Sequence, residues 1–288
     1  MSGELPSGVR SEPLCYFNGR IRPLREAYLS VHDIGMLRGY GLVESLPTSN
    51  RKPFMLQEHL DRLRNSANEL DLVIPASNQQ IQEAINDLIS HNVREGAEGT
   101  VRIVLTGGEA IGSLDYRRNA PTFYITVEEC SPLETRYYTH GASLMTSEYR
   151  RANAAFRAIG SLQTVRLQRD RLKRGAIDIL YIYDGSVYEA ATSNFFIVRR
   201  AKIVTPKDDI LHGITRRMVI DFAKKGHTVE ERPVTLWEAL EADEAFITGS
   251  FHGVVPIVKI DDHMIGSGVV GETTRTIMDF YHEARKSA

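Results

Sequence analysis

Residues 178–198, DILYIYDGSVYEAATSNFFIV, constrain the fold more than any other stretch of the chain. Apolar and aromatic residues flank Asp184-Gly185 on both sides. That dipeptide is favoured where two antiparallel strands turn back through left-handed backbone. The run predicts paired strands, with Glu189 at the end of one. Ala190, Ala191, Thr192, Ser193 and Asn194 follow, and their small or hydroxylic side chains would let a ligand approach the backbone closely. Taken alone, Glu189 reads first as a strand-end charge facing water.

The remaining pattern divides the chain into two unlike α/β halves. Residues 1–15 read as a flexible tail. YFNGRIRPL then predicts a hairpin through Asn18-Gly19. Leu56, Leu60, Leu63, Ala67 and Leu70 recur at helical spacing, as do Ile81, Ile85, Leu88 and Ile89 behind the capping residue Ser77. Two strand-like runs follow, at 101–106 and 122–127, joined by GGEAIGSLDYRRNAP, a loop by composition. Residues 128–141 lack periodicity, and the domain boundary is expected there. The expected organisation is a small mixed domain over 16–130, a linker over 131–141 and a larger domain over 142–288. In the larger domain a helix from about Ser161 to Arg174 should end at Gly175, HGITRRMVIDFAKKGH reads as another, and a final helix is expected near 272–285.

Composition excludes several partner classes. A formal net charge of -2 over 288 residues offers no field to draw nucleic acid or anionic lipid. No stretch approaches the roughly 18 apolar residues that cross a bilayer. The first residues lack a signal-peptide core, so a cytoplasmic location is expected. Cys15 and Cys130 have no metal-ligand spacing and are expected as separate thiols; no metal site is read.

Three features suggest anion binding. His212-Gly213-Ile214-Thr215 opens a helix, where unsatisfied amides favour a phosphate. Thr248-Gly249-Ser250 closes a strand and offers amides and hydroxyls. Arg62 lies off the apolar stripe of its helix. Each has an ordinary reading as well, as helix punctuation or a solvated charge.

Taken together, EHLDRL (58–63), EAATSNFF (189–196), HGITRR (212–217), AFITGS (245–250) and Pro256-Ile257 make the chain resemble the fold-type IV, or class IV, aminotransferases that use pyridoxal phosphate. That family includes branched-chain and D-amino-acid aminotransferases and aminodeoxychorismate lyase. The resemblance runs from about Tyr16 to the C-terminal helix. It implies a two-domain α/β fold, a homodimer, and amino-group transfer between an amino acid and a 2-oxo acid. It also implies that Arg62 binds the cofactor phosphate together with Ile214, Thr215, Gly249 and Ser250. Glu189 would pair with the pyridinium nitrogen, and Thr192, Ser193 and Asn194 would line the cofactor. Val43 stands where the family usually has an aromatic residue shaping the pocket. Arg117 and Arg118 are candidates for gripping a substrate carboxylate, although the D-amino-acid enzymes' arginine-histidine arrangement is missing.

One departure bears on chemistry. The family's catalytic lysine falls on Arg157, 32 residues before Glu189. A neutral amine forms the covalent link and moves the substrate proton. A guanidinium stays protonated and does neither. Lys173 is 16 residues further on, which along a helix is about 24 Å. Pyridoxal or pyridoxamine phosphate is therefore expected to bind without a covalent bond. Three readings of Arg157 stand open: a substitution that disables a transaminase, an anchor for a carboxylate or phosphate, or a surface charge placed there by a local misregister. Only 8 of the 35 basic residues are lysines, which weakens any claim that this one exchange was selected. A pyridoxal-phosphate lyase of the aminodeoxychorismate type and a non-catalytic homologue are the alternatives.

Overall fold

The computed structural model describes residues 12–288. Most of the expected N-terminal tail, residues 1–11, lies outside the described residues. The tail's last two residues are not tail: Leu14 and Cys15 belong to the first strand, where Cys15 is buried. The chain forms two units, one of residues up to Ser131 plus Ala158–Gly160, the other of Pro132–Arg157 and Ser161–Ala288.

The first unit is a six-stranded sheet in the order β2-β1-β8-β5-β3-β4. Its strands are β1 (Leu14–Phe17), β2 (Arg20–Pro23), β3 (Gly41–Ser49), β4 (Lys52–Pro53), β5 (Gly99–Thr106) and β8 (Thr122–Glu129). Asn18 and Gly19 turn the first hairpin at φ 46° and 88°. A short helix α1 (Ile34–Arg38) precedes β3, while α2 (Leu56–Glu69) and α3 (Asn78–Asn92) carry the two apolar stripes. Leu60, Leu63, Ile81, Ile85, Leu88 and Ile89 are all buried, and Ser77 and Gln80 form a reciprocal capping box. The loop between β5 and β8 holds a small hairpin, β6 (Ala110–Ile111) with β7 (Asp115–Tyr116). Ala158 bridges to Leu42, and the Ile159 amide donates to the Gly41 carbonyl at 3.2 Å.

The second unit starts earlier than expected. The segment read as a linker contains helix α4 (Thr135–Thr139), and Leu133, Tyr137 and Tyr138 pack on the second unit's core. The missed signal is that aromatic pair, which buries area a linker would leave wet. Strands β9 (Ala142–Glu148), β10 (Asp178–Tyr183), β11 (Ser186–Ala190), β12 (Asn194–Arg199), β13 (Lys202–Thr205), β14 (Thr228–Glu231), β15 (Val234–Thr235), β16 (Glu244–Gly249), β17 (Gly253–Ile260) and β18 (His263–Met264) form one sheet. Helices α5 (Leu162–Lys173), α6 (Ile214–Ala223), α7 (Leu236–Leu240) and α8 (Glu272–Lys286) complete it. The path β12-β16-β17-β9-β10-β11 returns to β12 through one residue pair, Glu189 with Asn194, so the six strands close into a ring.

That closure sorts the side chains. Ala190, Phe195, Ile247 and Val255 face one shared apolar core with Leu144, Leu180 and Ile257. Their immediate neighbours alternate to the opposite face of the sheet. There Glu189 pairs with Asn194 and Asn194 with Thr248, giving a polar row across three strands. Among the described residues no helix is long and apolar enough to cross a membrane, and no group of three or more His, Cys, Asp or Glu could hold a metal.

Candidate active site

Glu189, Asn194 and Thr248 are each 4% exposed or less. Polar groups buried to this degree normally have partners. The Leu211 amide donates to Glu189 Oε2 at 3.0 Å. Asn194 Nδ2 donates to the Leu211 carbonyl at 2.7 Å and reaches the same Glu189 oxygen at 3.5 Å. The other oxygen, Oε1, is buried without a hydrogen bond, as is Thr248 Oγ1. Arg151 Nη1 approaches Glu189 Oε1 at 3.4 Å as an ion pair. Burial pushes the Glu189 carboxyl up to about 7, against the opposing pull of Arg151, the Leu211 amide and Arg157.

Arg157 is half-buried with its Nε enclosed, and its charge acts on Glu189. It is not a solvated surface charge. Arg151 donates to the Ala191 carbonyl at 2.9 Å and stands over the Tyr181 ring at 5.7 Å. Sequence reasoning missed this arginine, because a guanidinium aimed back at a strand has no local signature.

Around this carboxylate lie the two features read as anion sites. Gly213 is the N-cap of α6, followed by the buried Ile214 and Thr215. The first amides of a helix have no intrahelical acceptor. A Cβ on Gly213 would stand 2.2 Å from Asn194 Oδ1, so the helix can start this close to the polar row only with glycine there. A Cβ on Gly249 would meet Ser193 Oγ at 3.2 Å and the Thr192 carbonyl at 3.3 Å. Ser250 is half-buried beside it. Burial and the Arg216 charge both push the His212 imidazole pKa down.

Thr192 and Ser193 have a second attachment. Their hydroxyls donate to Asp178 Oδ2 at 2.7 and 3.2 Å, so both protons are already committed. Asp178 is a further residue the sequence did not single out, because at the head of an apolar strand it reads as a boundary.

The remaining candidates lie in the first unit. The ordinary reading of Arg62 is a solvated charge. Instead it donates through Nε and Nη2 to Glu44 at 2.8 and 2.7 Å. His59 Nδ1 donates to the same carboxylate at 2.7 Å. Burial alone would raise the Glu44 carboxyl, but the hydrogen bonds and charges of Arg62 and His59 hold it at about 2. Glu44 and His59 carried no local signal; their meeting depends on β3 lying against α2. Val43 is half-buried on β3. Arg117 and Arg118 are both exposed, with Arg118 in an ion pair with Asp71 at 2.5 Å.

The geometry supplies a buried carboxylate with one oxygen that lacks a hydrogen bond, two nearby guanidinium groups, and glycine-lined amides next to a buried hydroxyl that also lacks one. Comparison with known proteins gives this a family context. The profile of the class IV amino-transferases matches residues 41–260. A Methanocaldococcus jannaschii protein, provisionally named a branched-chain-amino-acid aminotransferase, is 32% identical over 282 residues, covering 94% of this chain and 96% of its own. A D-alanine aminotransferase of Bacillus licheniformis is 30% identical over 271 residues, covering 91% and 93%. A solved T.th. branched-chain amino acid aminotransferase, with pyridoxamine 5'-phosphate, superposes with a TM-score of 0.87 at 28% identity over 96% of this chain and 95% of that one.

Proposed function

Because this chain belongs to the class IV amino-transferase family, we propose that it binds pyridoxal or pyridoxamine phosphate on a scaffold built for amino-group transfer between an amino acid and a 2-oxo acid. The observation that carries this reading is Glu189 Oε1, a deeply buried carboxylate oxygen without a hydrogen bond. Such an oxygen costs desolvation energy unless a ligand donor completes it. A pyridinium N–H is such a donor.

The residues fit the cofactor at two points. Glu189 would hold the ring nitrogen, and the amides at Ile214, Thr215, Gly249 and Ser250 would hold the phosphate, with Thr248 Oγ1 as a further donor. Asn194 orients Glu189 through the Leu211 carbonyl. The Arg151 charge favours the ionised carboxylate and so opposes the effect of burial. When bound, the cofactor supplies a protonated ring that absorbs the electrons released at a substrate carbon.

At a third point the residues do not fit. Arg157 stands where the family's lysine is expected, and a guanidinium neither forms the covalent link nor accepts the substrate proton at neutral pH. Binding is therefore non-covalent and transamination impaired. Loss of a general base alone removes about two to four orders of magnitude in rate. The guanidinium would instead hold a carboxylate or phosphate oxygen of the ligand.

A homodimer is part of the same reading. Helix α5 buries no residue within the single chain, and Leu162, Val165 and Leu172 are 84%, 68% and 65% exposed along it. A second copy would remove that apolar stripe from water. Sedimentation at micromolar concentration should give twice the chain mass, and Leu162→Glu with Val165→Glu should give the monomer.

The function is tested with Arg157→Lys. Mixed with pyridoxal phosphate, the variant should gain a visible absorbance band, a covalent mass increment after borohydride reduction, and oxo-acid-dependent turnover. The unmodified chain should bind the cofactor with none of the three. A folded variant that gains no band or mass would overturn the assignment of Arg157.

A further inference from the structure

Asp178 is 4% exposed, at the head of β10, and no part of the proposed chemistry uses it. Four donors converge on it. The Ile179 amide reaches Oδ1 at 2.8 Å, and the Thr192 amide, Thr192 Oγ1 and Ser193 Oγ reach Oδ2 at 3.1, 2.7 and 3.2 Å. Three of these donors belong to the tip of the β11–β12 hairpin. The same tip is closed by the Ala190 amide on the Ser193 carbonyl and tied to β10 by the Ala191 amide on the Ile179 carbonyl, both at 2.8 Å. On its other side it abuts Gly249, where even a methyl group would meet Ser193 Oγ and the Thr192 carbonyl.

We infer that Asp178 is a positioning residue for phosphate recognition: it draws the Thr192-Ser193 tip against Gly249 and so sets where the Gly249-Ser250 amides stand. This rests on the reading that those amides hold the cofactor phosphate. With both hydroxyl protons committed to Asp178, Thr192 and Ser193 contribute shape rather than donated hydrogen bonds. Ionised, the carboxylate accepts all four donors. An amide in its place has one acceptor oxygen, and its NH2 must face a donor whichever way it lies. Burial already raises the Asp178 pKa, and the hairpin's hydrogen bonds act against that.

The test compares affinity for pyridoxal phosphate with affinity for unphosphorylated pyridoxal, by calorimetry, in the unmodified chain and in Asp178→Asn. The expected result is a phosphorylated-over-unphosphorylated preference that falls at least tenfold, with pyridoxal affinity changed less than twofold. A general structural role would instead move both affinities together, or lower the melting temperature and leave the preference intact; either result overturns the inference. An unmodified chain with no preference for the phosphorylated form would overturn the underlying phosphate assignment, which separates the two failures. If Asp178→Asn does not fold, Thr192→Val carries the test, since its lost hydroxyl donates to Asp178 alone. A threefold or greater fall in the preference supports the inference, and an unchanged preference overturns it.

Discussion

Arg151 Nη1 lies 3.4 Å from Glu189 Oε1, a buried oxygen that has no hydrogen bond. An ion pair at this distance favours the charged carboxylate, while burial favours the neutral one, and the balance leaves Glu189 titrating at about 7. Removing the arginine shifts that balance. In Arg151→Gln without cofactor, the Glu189 carboxyl should titrate above 7, read from its carboxyl carbon by NMR. A midpoint at or below that of the unmodified chain would contradict the role given to Arg151.

The same shift sets a pH dependence of stability. Glu189 binds its proton more tightly folded than unfolded, where its value is near 4.5. Its favourable contribution is complete below 4.5 and is lost as pH rises through about 7. The cofactor-free chain should therefore lose stability over that interval relative to Glu189→Gln. Denaturant midpoints of the two proteins across the interval provide the check.

Glu44 behaves oppositely. Its carboxyl is held at about 2 against an ordinary 4.5, so its contribution is present above 4.5 and fades as pH falls toward 2. Glu44→Gln leaves His59 and Arg62 facing a neutral amide in a buried setting. A loss of about 3–5 kcal/mol is expected at neutral pH. A change under 1 kcal/mol in urea unfolding (about the worth of a surface ion pair) would show the cluster to be weakly coupled to folding.

Gly213→Ala tests the close approach of α6 to the polar row. The new methyl would stand 2.2 Å from Asn194 Oδ1, so the helix start or the asparagine must move. Overpacking of this kind costs about 1–3 kcal/mol. Cofactor affinity should fall with stability, because Asn194 holds the Leu211 carbonyl whose residue donates to Glu189. An unchanged cofactor dissociation constant would separate Gly213 from the site.

Much of this arrangement is legible in the chain because it is local. Helical stripes over 56–70 and 81–89, glycine turns at Gly19 and Gly185, and the apolar strands of 178–198 follow from periodicity and turn chemistry over a few residues. The motifs at Glu189, Gly213 and Gly249 are short and linear in the same way. What was hidden depends on pairing across sequence. Asp178 meets Thr192, Arg151 meets Glu189, and Glu44 meets Arg62 only after strands and helices come together. The segment 131–141 misleads for a related reason: its polar, proline-containing composition resembles a linker, while Tyr137 and Tyr138 find their core in strands further along the chain.

The ring of strands in the second unit is joined at Glu189 and Asn194 by a single residue pair. Beyond that pair β11 and β12 share no ladder contact among the described residues, and openings of low free energy concentrate where strand pairing is thin. A ligand gripped there acts as a rivet, favouring the closed arrangement by mass action. On the proposed reading, holding the cofactor and keeping that ring of strands shut are one equilibrium seen from two sides.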